Sequence, residues 1–216
     1  MSFSKIIILL VALGITKLTE AQNATNTAIT KLPLNTVPAA NDTSKALVLY
    51  ITGDGGWNKF SKNFATALAA NGYPVVSLNS NDYFWKKKTA AQTAADLTVV
   101  LRTYQKSRKR KKVILIGYSF GADVVPFVFN LLPADLNAAI TNICLLSVSP
   151  TTDFEIHLSV MFGSKLKSGH SVIAELNKIN TKPIALIFGE DETDFPWNQL
   201  KIKKLHPYYT SWRPSL

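Results

Sequence analysis

Apolar and polar positions alternate along this chain in blocks with two different periods. Residues 46–51 (ALVLYI) form a short continuous apolar run rich in Val, Ile and Tyr. Such a run suits a strand buried on both faces. It is followed by TGDGGW and then FSKNFATALAANG, where Phe60, Phe64, Ala67 and Leu68 recur at spacings of three and four and Gly72 is placed to end a helix. YPVVSLN then reads as a second strand. Residues 89–105 read as a helix opened by a capping box of Thr89 and Gln92. VILIG (113–117) reads as a third strand and 120–132 as the helix after it. NICLLSVS (142–149) and PIALIFG (183–189) give a fourth and a fifth strand, and KIKKL (201–205) a last short one near an edge. Strands alternating with helices predict an α/β fold, a mostly parallel sheet with helices on both faces.

The two ends of the chain read differently. MSFSK is a short positive stretch, IIILLVALGI an apolar run, and Thr19-Glu20-Ala21 ends in a small residue. That is the layout of a cleavable secretory signal over residues 1–21, which implies a domain working outside the cytoplasm, in the periplasm or otherwise exported. Residues 22–45 are polar, rich in Asn and Thr, and read as an irregular lead-in to a domain over 46–216.

Composition narrows the function classes. Hydrophobic residues make up 47% and charged residues 18% of 216, which is globular rather than disordered. The one cysteine, Cys144, excludes an internal disulfide, and no Cys/His cluster has metal-ligand spacing. The formal charge is +10, concentrated in Lys86-Lys87-Lys88 and in Arg108-Lys109-Arg110-Lys111-Lys112. Basic runs attract anionic partners, and an exported protein meets a membrane surface more readily than nucleic acid, so anionic lipid ranks first.

Chemistry collects at the expected carboxyl ends of the strands, where ligands bind in parallel sheets. Gly117-Tyr118-Ser119-Phe120-Gly121 has the order strand, G-x-S-x-G, helix, that of a nucleophile elbow. Ser119 is then either a nucleophile or a plain helix cap. The amide of Phe120 would face an oxyanion from a helix N-terminus. Thr52-Gly53-Asp54-Gly55-Gly56-Trp57 follows the first strand, where a glycine-rich loop would donate a second amide from Asp54 or Gly55, with Gly56 and Tyr118 beside the substrate. Gly189-Glu190-Asp191-Glu192-Thr193-Asp194 ends the fifth strand and would supply the acid, Asp194 first and Asp191 second, with the remaining carboxylates solvated. Of the three histidines only His206 follows that loop, and it is the candidate base. His157, in DFEIHLS, would line the pocket. This chemistry needs no cofactor.

These same stretches resemble the VirJ/AcvB family of bacterial virulence proteins: ITGDGGW (51–57), DYFWKKKTAAQTAADL (82–97), VILIGYSFGADVVPF (113–127), TDFEIH (152–157) and IFGEDETD (187–194). The resemblance implies an exported alpha/beta-hydrolase domain with Ser119 as nucleophile, an acid from 189–194 and an oxyanion site flanked by Asp54 to Gly56. It implies a link to type IV secretion and secretion-system partners, and hydrolysis of an ester such as lysyl-phosphatidylglycerol. The pattern departs after the acid loop: the histidine-containing, glycine-rich segment of relatives has no counterpart in LHPYYTSWRPSL. Either His206 serves as base in a shortened context, or the fold is kept for binding without turnover.

Overall fold

The computed structural model describes residues 29–39, 45–156, 169–192, 194–203 and 205–210. The signal-like segment, His157 and the tail 211–216 lie outside them. Residues up to Leu32 form one compact unit and Pro33 onward a second, which holds the sheet.

The sheet begins with β1 (Leu34–Val37). The strands expected from apolar runs are present as β2 (Leu47–Ile51), β3 (Val75–Leu78), β4 (Val113–Tyr118), β5 (Ile140–Leu146) and β8 (Ile184–Gly189), and β9 (Leu205–Thr210) is the last. Together they form a seven-stranded sheet with the order β1-β3-β2-β4-β5-β8-β9, in which β2, β3, β4, β5, β8 and β9 run parallel. All five residues of β2 are buried, as a central strand covered on both sides requires. The chain runs from β2 outward to β3 and then crosses back to β4 on the other side of β2. The crevice at their carboxyl ends is therefore the switch point where such sheets bind ligands.

Helix α1 (Lys59–Ala70) is capped by Asn58, whose side chain accepts the Ser61 N–H at 3.0 Å. Its Ala65 packs with Val48, Tyr50, Val75, Ile116 and Leu146 on one face of the sheet. Short α2 (Ser80–Tyr83) follows β3. In α3 (Ala90–Ser107) the expected capping box is formed: Thr89 Oγ1 accepts the Gln92 N–H at 3.1 Å and Gln92 Oε1 accepts the Thr89 N–H at 3.0 Å. Helix α4 (Phe120–Leu131) is almost wholly buried from Gly121 to Phe129, as its apolar sequence demands. Helices α5 (Ala134–Ala139) and α6 (Val172–Lys178), a small hairpin of β6 (Thr151–Thr152) with β7 (His170–Ser171), and a single 3-10 turn at Trp197–Gln199 complete the described elements.

Two expectations are corrected at the sheet edges. The stretch read as an irregular lead-in contributes β1, paired antiparallel to β3 from Leu34↔Leu78 to Val37↔Val75. Its short length and its flanking Pro33 and Pro38 suit an edge. The last strand is β9, not KIKKL. The lysines precede the strand, and His206 lies within it.

Candidate active site

The elbow is built where β4 turns directly into α4. Ser119 has φ 51° and ψ −122°, a region that costs a non-glycine residue ~1–3 kcal/mol. The residues around it leave the backbone no other course. The Ser119 N–H donates to Leu146 O at 2.8 Å, and the Ser119 carbonyl accepts the N–H groups of Ala122 at 2.7 Å and Asp123 at 3.1 Å. Strand and helix approach so closely that a Cβ on Gly121 would stand 2.2 Å from Ile51 O, and one on Gly117 would stand 2.5 Å from Ala122 Cα. Only glycine fits at either position. The Ser119 hydroxyl makes no capping hydrogen bond to α4. It is half-buried, and the plain helix-cap role is not the one it plays.

The β2–α1 loop lies directly against this serine. A Cβ on Gly53 would come 3.4 Å from Ser119 Cβ and 3.2 Å from the Tyr118 ring. The loop is fixed from behind by the β3–α2 junction. Ser80 Oγ donates to Thr52 O at 2.7 Å, the Ser80 N–H to Thr52 Oγ1 at 2.9 Å, and Asn81 Nδ2 to Asp54 O at 2.8 Å. Two of its amides are committed inside the loop: the Gly55 N–H donates to Asp54 Oδ1 at 2.9 Å and the Gly56 N–H to Gly53 O at 3.0 Å. Among the described residues no acceptor takes the N–H of Asp54 or of Phe120. Gly55 and Gly56 use their amides to shape the loop.

Glu192 is exposed, as the sequence implies for this loop, and its carboxylate also organises the loop. Glu192 Oε2 accepts the Gly189 N–H at 2.7 Å and the Ser147 hydroxyl at 3.0 Å, while the Glu192 N–H donates to Gly189 O at 3.0 Å. Ser147, at the end of β5, is itself in the left-handed region at φ 54°. Burial raises the Tyr118 phenol pKa, and the charges of Glu192 and then Asp54 push it the same way. Asp191 and Asp194 are exposed.

His206 is not brought to this site. It pairs with Ala185, which pairs with Cys144, which pairs with Ile116, three residues before Ser119. At ~4.8 Å per strand and ~3.3 Å per residue, that register puts its Cα about 17 Å from that of Ser119. His206 lines a hollow with Asn142, Cys144, Pro183 and Ala185, toward the opposite end of the strands. The shift of the last strand from 201–205 to Leu205–Thr210 is the cause. His170 packs against Phe154 and Phe127 at ring distances of 5.7 and 6.0 Å.

Sequence reading missed Asp123. It is a buried carboxyl one turn into α4, and its Oδ1 accepts the Ser149 N–H at 2.6 Å. Burial pushes its pKa well above the carboxylate range; the Ser149 hydrogen bonds oppose the shift, and the charge of Asp54 adds to it. The signal was legible: one acid inside an otherwise apolar helix, FGADVVPFVF.

The family pattern described as Bacterial virulence protein (VirJ) matches residues 45–207. The chain belongs to the VirJ family. No characterised relative matches at the level of sequence. Solved structures similar to this VirJ-family chain include MenH from S. aureus, at 15% identity with a TM-score of 0.57, covering 82% of this chain and 88% of that one. A lipase-esterase related protein from Clostridium acetobutylicum also has 15% identity and a TM-score of 0.57, covering 83% and 91%. A putative dienelactone hydrolase from Klebsiella pneumoniae has 10% identity and a TM-score of 0.59, covering 82% and 79%. At such identities these likenesses establish the alpha/beta-hydrolase fold.

Proposed function

We propose that this VirJ-family chain is an exported serine hydrolase cleaving a carboxylic ester, with an aminoacyl ester of a phospholipid as the substrate class. The observation that carries the reading is the backbone of Ser119, held at φ 51° and ψ −122° with its hydroxyl left out of the helix cap. Ser119 Oγ attacks the ester carbonyl carbon and its proton passes to a base. The amides of Phe120 and Asp54 hold the oxyanion, and the alcohol leaves with the proton. Water then attacks the acyl-serine, releases the acid and restores the hydroxyl. Two features support an aminoacyl group. Asp54 and Glu192 both bear on Tyr118 beside the nucleophile, and a negative surround suits an ammonium on the acyl portion. The amino-terminal pattern of residues 1–21 supports export.

A second reading is favoured by one observation. His206, the histidine that follows the acid loop, does not stand beside Ser119, so the fold can serve as a binding component, associated with type IV secretion, with weak or no turnover. Labelling by a fluorophosphonate probe, located by mass spectrometry, separates the two. Modification of Ser119 in the parent protein, together with short-chain ester turnover lost in Ser119→Ala, supports the hydrolase. Absence of both supports the binding component.

A further inference from the structure

Trp85 is exposed over 55% of its surface, and among the described residues it shares with Leu131 the distinction of being a large hydrophobic left in solvent. Its neighbours Lys86 and Lys87 are also exposed, and no acidic residue lies between Tyr83 and Thr89. Lys88 is half-buried, its Nζ 4.9 Å from the centre of the Tyr83 ring and its N–H donating to Phe154 O at 2.8 Å. The segment is firmly mounted. Phe84 is wholly buried with its ring 5.0 Å from that of Phe120, its N–H donates to Ser80 O at 2.9 Å, and its carbonyl accepts the Ile156 N–H at 3.0 Å. An indole thus projects from a rigid turn, beside two exposed ammonium groups, one residue from a side chain that touches the start of the nucleophile helix.

An indole flanked by lysines matches the interface of an anionic bilayer. The ring prefers headgroup depth, and the lysines gain from the negative surface potential. We propose that Trp85, Lys86 and Lys87 form a docking knuckle that seats the elbow end of the molecule on an anionic phospholipid surface. This goes beyond the hydrolase reading and does not need Ser119 to turn over. Its rival in this molecule is the longer basic run Arg108–Lys112. That run precedes β4, so the six residues of the strand separate it from the elbow, about 20 Å. The run 108–112 lies at the other end of β4 from the elbow and carries no aromatic residue to enter the interface.

The test uses Ser119→Ala protein, so that binding is read without hydrolysis, and vesicles of phosphatidylglycerol and phosphatidylcholine in equal parts. Binding to these, and not to phosphatidylcholine alone, is expected in co-sedimentation. Lys86→Glu with Lys87→Glu lowers the partition roughly twenty-fold or more. Trp85→Ala lowers it about tenfold, and Trp85→Phe removes the lipid-induced blue shift of tryptophan emission. In protein with Ser119 intact, Trp85→Ala spares turnover of a soluble short-chain ester and reduces that of a vesicle-borne one. Three results overturn the proposal: equal binding to neutral vesicles; binding lost on Arg108→Glu with Lys109→Glu but kept in Trp85→Ala; or salt-sensitive binding of duplex DNA through the same lysines without vesicle binding. If no ester is turned over while vesicle binding follows Trp85, the hydrolase reading fails and the docking surface stands.

Discussion

The Ser147 hydroxyl donates to Glu192 Oε2 at 3.0 Å, joining the ends of β5 and β8 across 45 residues of sequence. The same oxygen takes the Gly189 N–H, so this carboxylate sets the course of the loop from which an acid would act. We expect Glu192→Ala to lower ester turnover by one to two orders of magnitude, roughly the worth of a residue orienting an acid–base group. Asp191→Ala and Asp194→Ala are expected to change it less than about threefold, since it is Glu192 that accepts from Ser147 and Gly189. Steady-state rates on a soluble ester decide this; the reverse ranking returns the role to Asp194 or Asp191.

The strain at Ser119 is tested by stability. Ser119→Gly relieves an unfavourable backbone, and Ser119→Ala keeps it. The glycine variant should be more stable than the alanine variant by about 1 kcal/mol, although neither hydrolyses ester. Gly121→Ala runs the other way. Its added Cβ meets Ile51 O at 2.2 Å, backbone that cannot yield, and a loss of about 2 kcal/mol or more is expected. Urea unfolding measures both, and a Gly121→Ala protein as stable as the parent would show that the β2–α4 contact is looser than described.

The central strands and the elbow were readable because each rests on local necessity. LVLYI suits a strand buried on both faces, and a serine between two glycines at a strand–helix junction is what a sharp, crowded turn demands. The failures lie where a distant contact decides. Among the four carboxylates in Glu190–Asp194, the sequence does not reveal that Glu192 is the one bonded to Ser147 and Gly189. KIKKL imitates the alternation of a strand, but the pairing falls one strand-length later, on LHPYYT. Pro207 lies in an edge strand, the place in a sheet where proline is tolerated. Leu34–Val37 is too short to announce itself and is defined by its partner β3.

Asp123 makes stability depend on pH. Its folded-state pKa is raised well above the ordinary 3.8 by burial. The unfolded chain loses this proton near 3.8 while the folded chain keeps it. Above that pH the unfolded state binds fewer protons, so stability falls as pH rises, until the folded carboxyl also ionises. Asp123→Asn keeps an oxygen to accept the Ser149 N–H and cannot ionise. The variant should match the parent at low pH, exceed it above, and lack this part of the slope. Urea midpoints across the acid-to-neutral range check it; parallel curves for the two proteins would mean that Asp123 is ionised in the fold.

His206 supplies the sharpest test of the site. Its register with Ala185 leaves it about three strands from the elbow and about 17 Å away, farther than an imidazole and a serine hydroxyl can bridge together. His206→Ala should therefore change turnover of a soluble ester less than about twofold, while Ser119→Ala abolishes it. His157, the other histidine named by sequence, is the informative companion: loss of turnover in His157→Ala, with the melting temperature unchanged, would identify the proton acceptor. If His206→Ala abolishes turnover at unchanged stability, β9 must pair in a different register in the working enzyme, with its imidazole beyond the carboxyl end of the sheet. Retained turnover in both variants would direct the search to other titratable groups, beginning with Glu192 and Asp54, whose charges act on Tyr118.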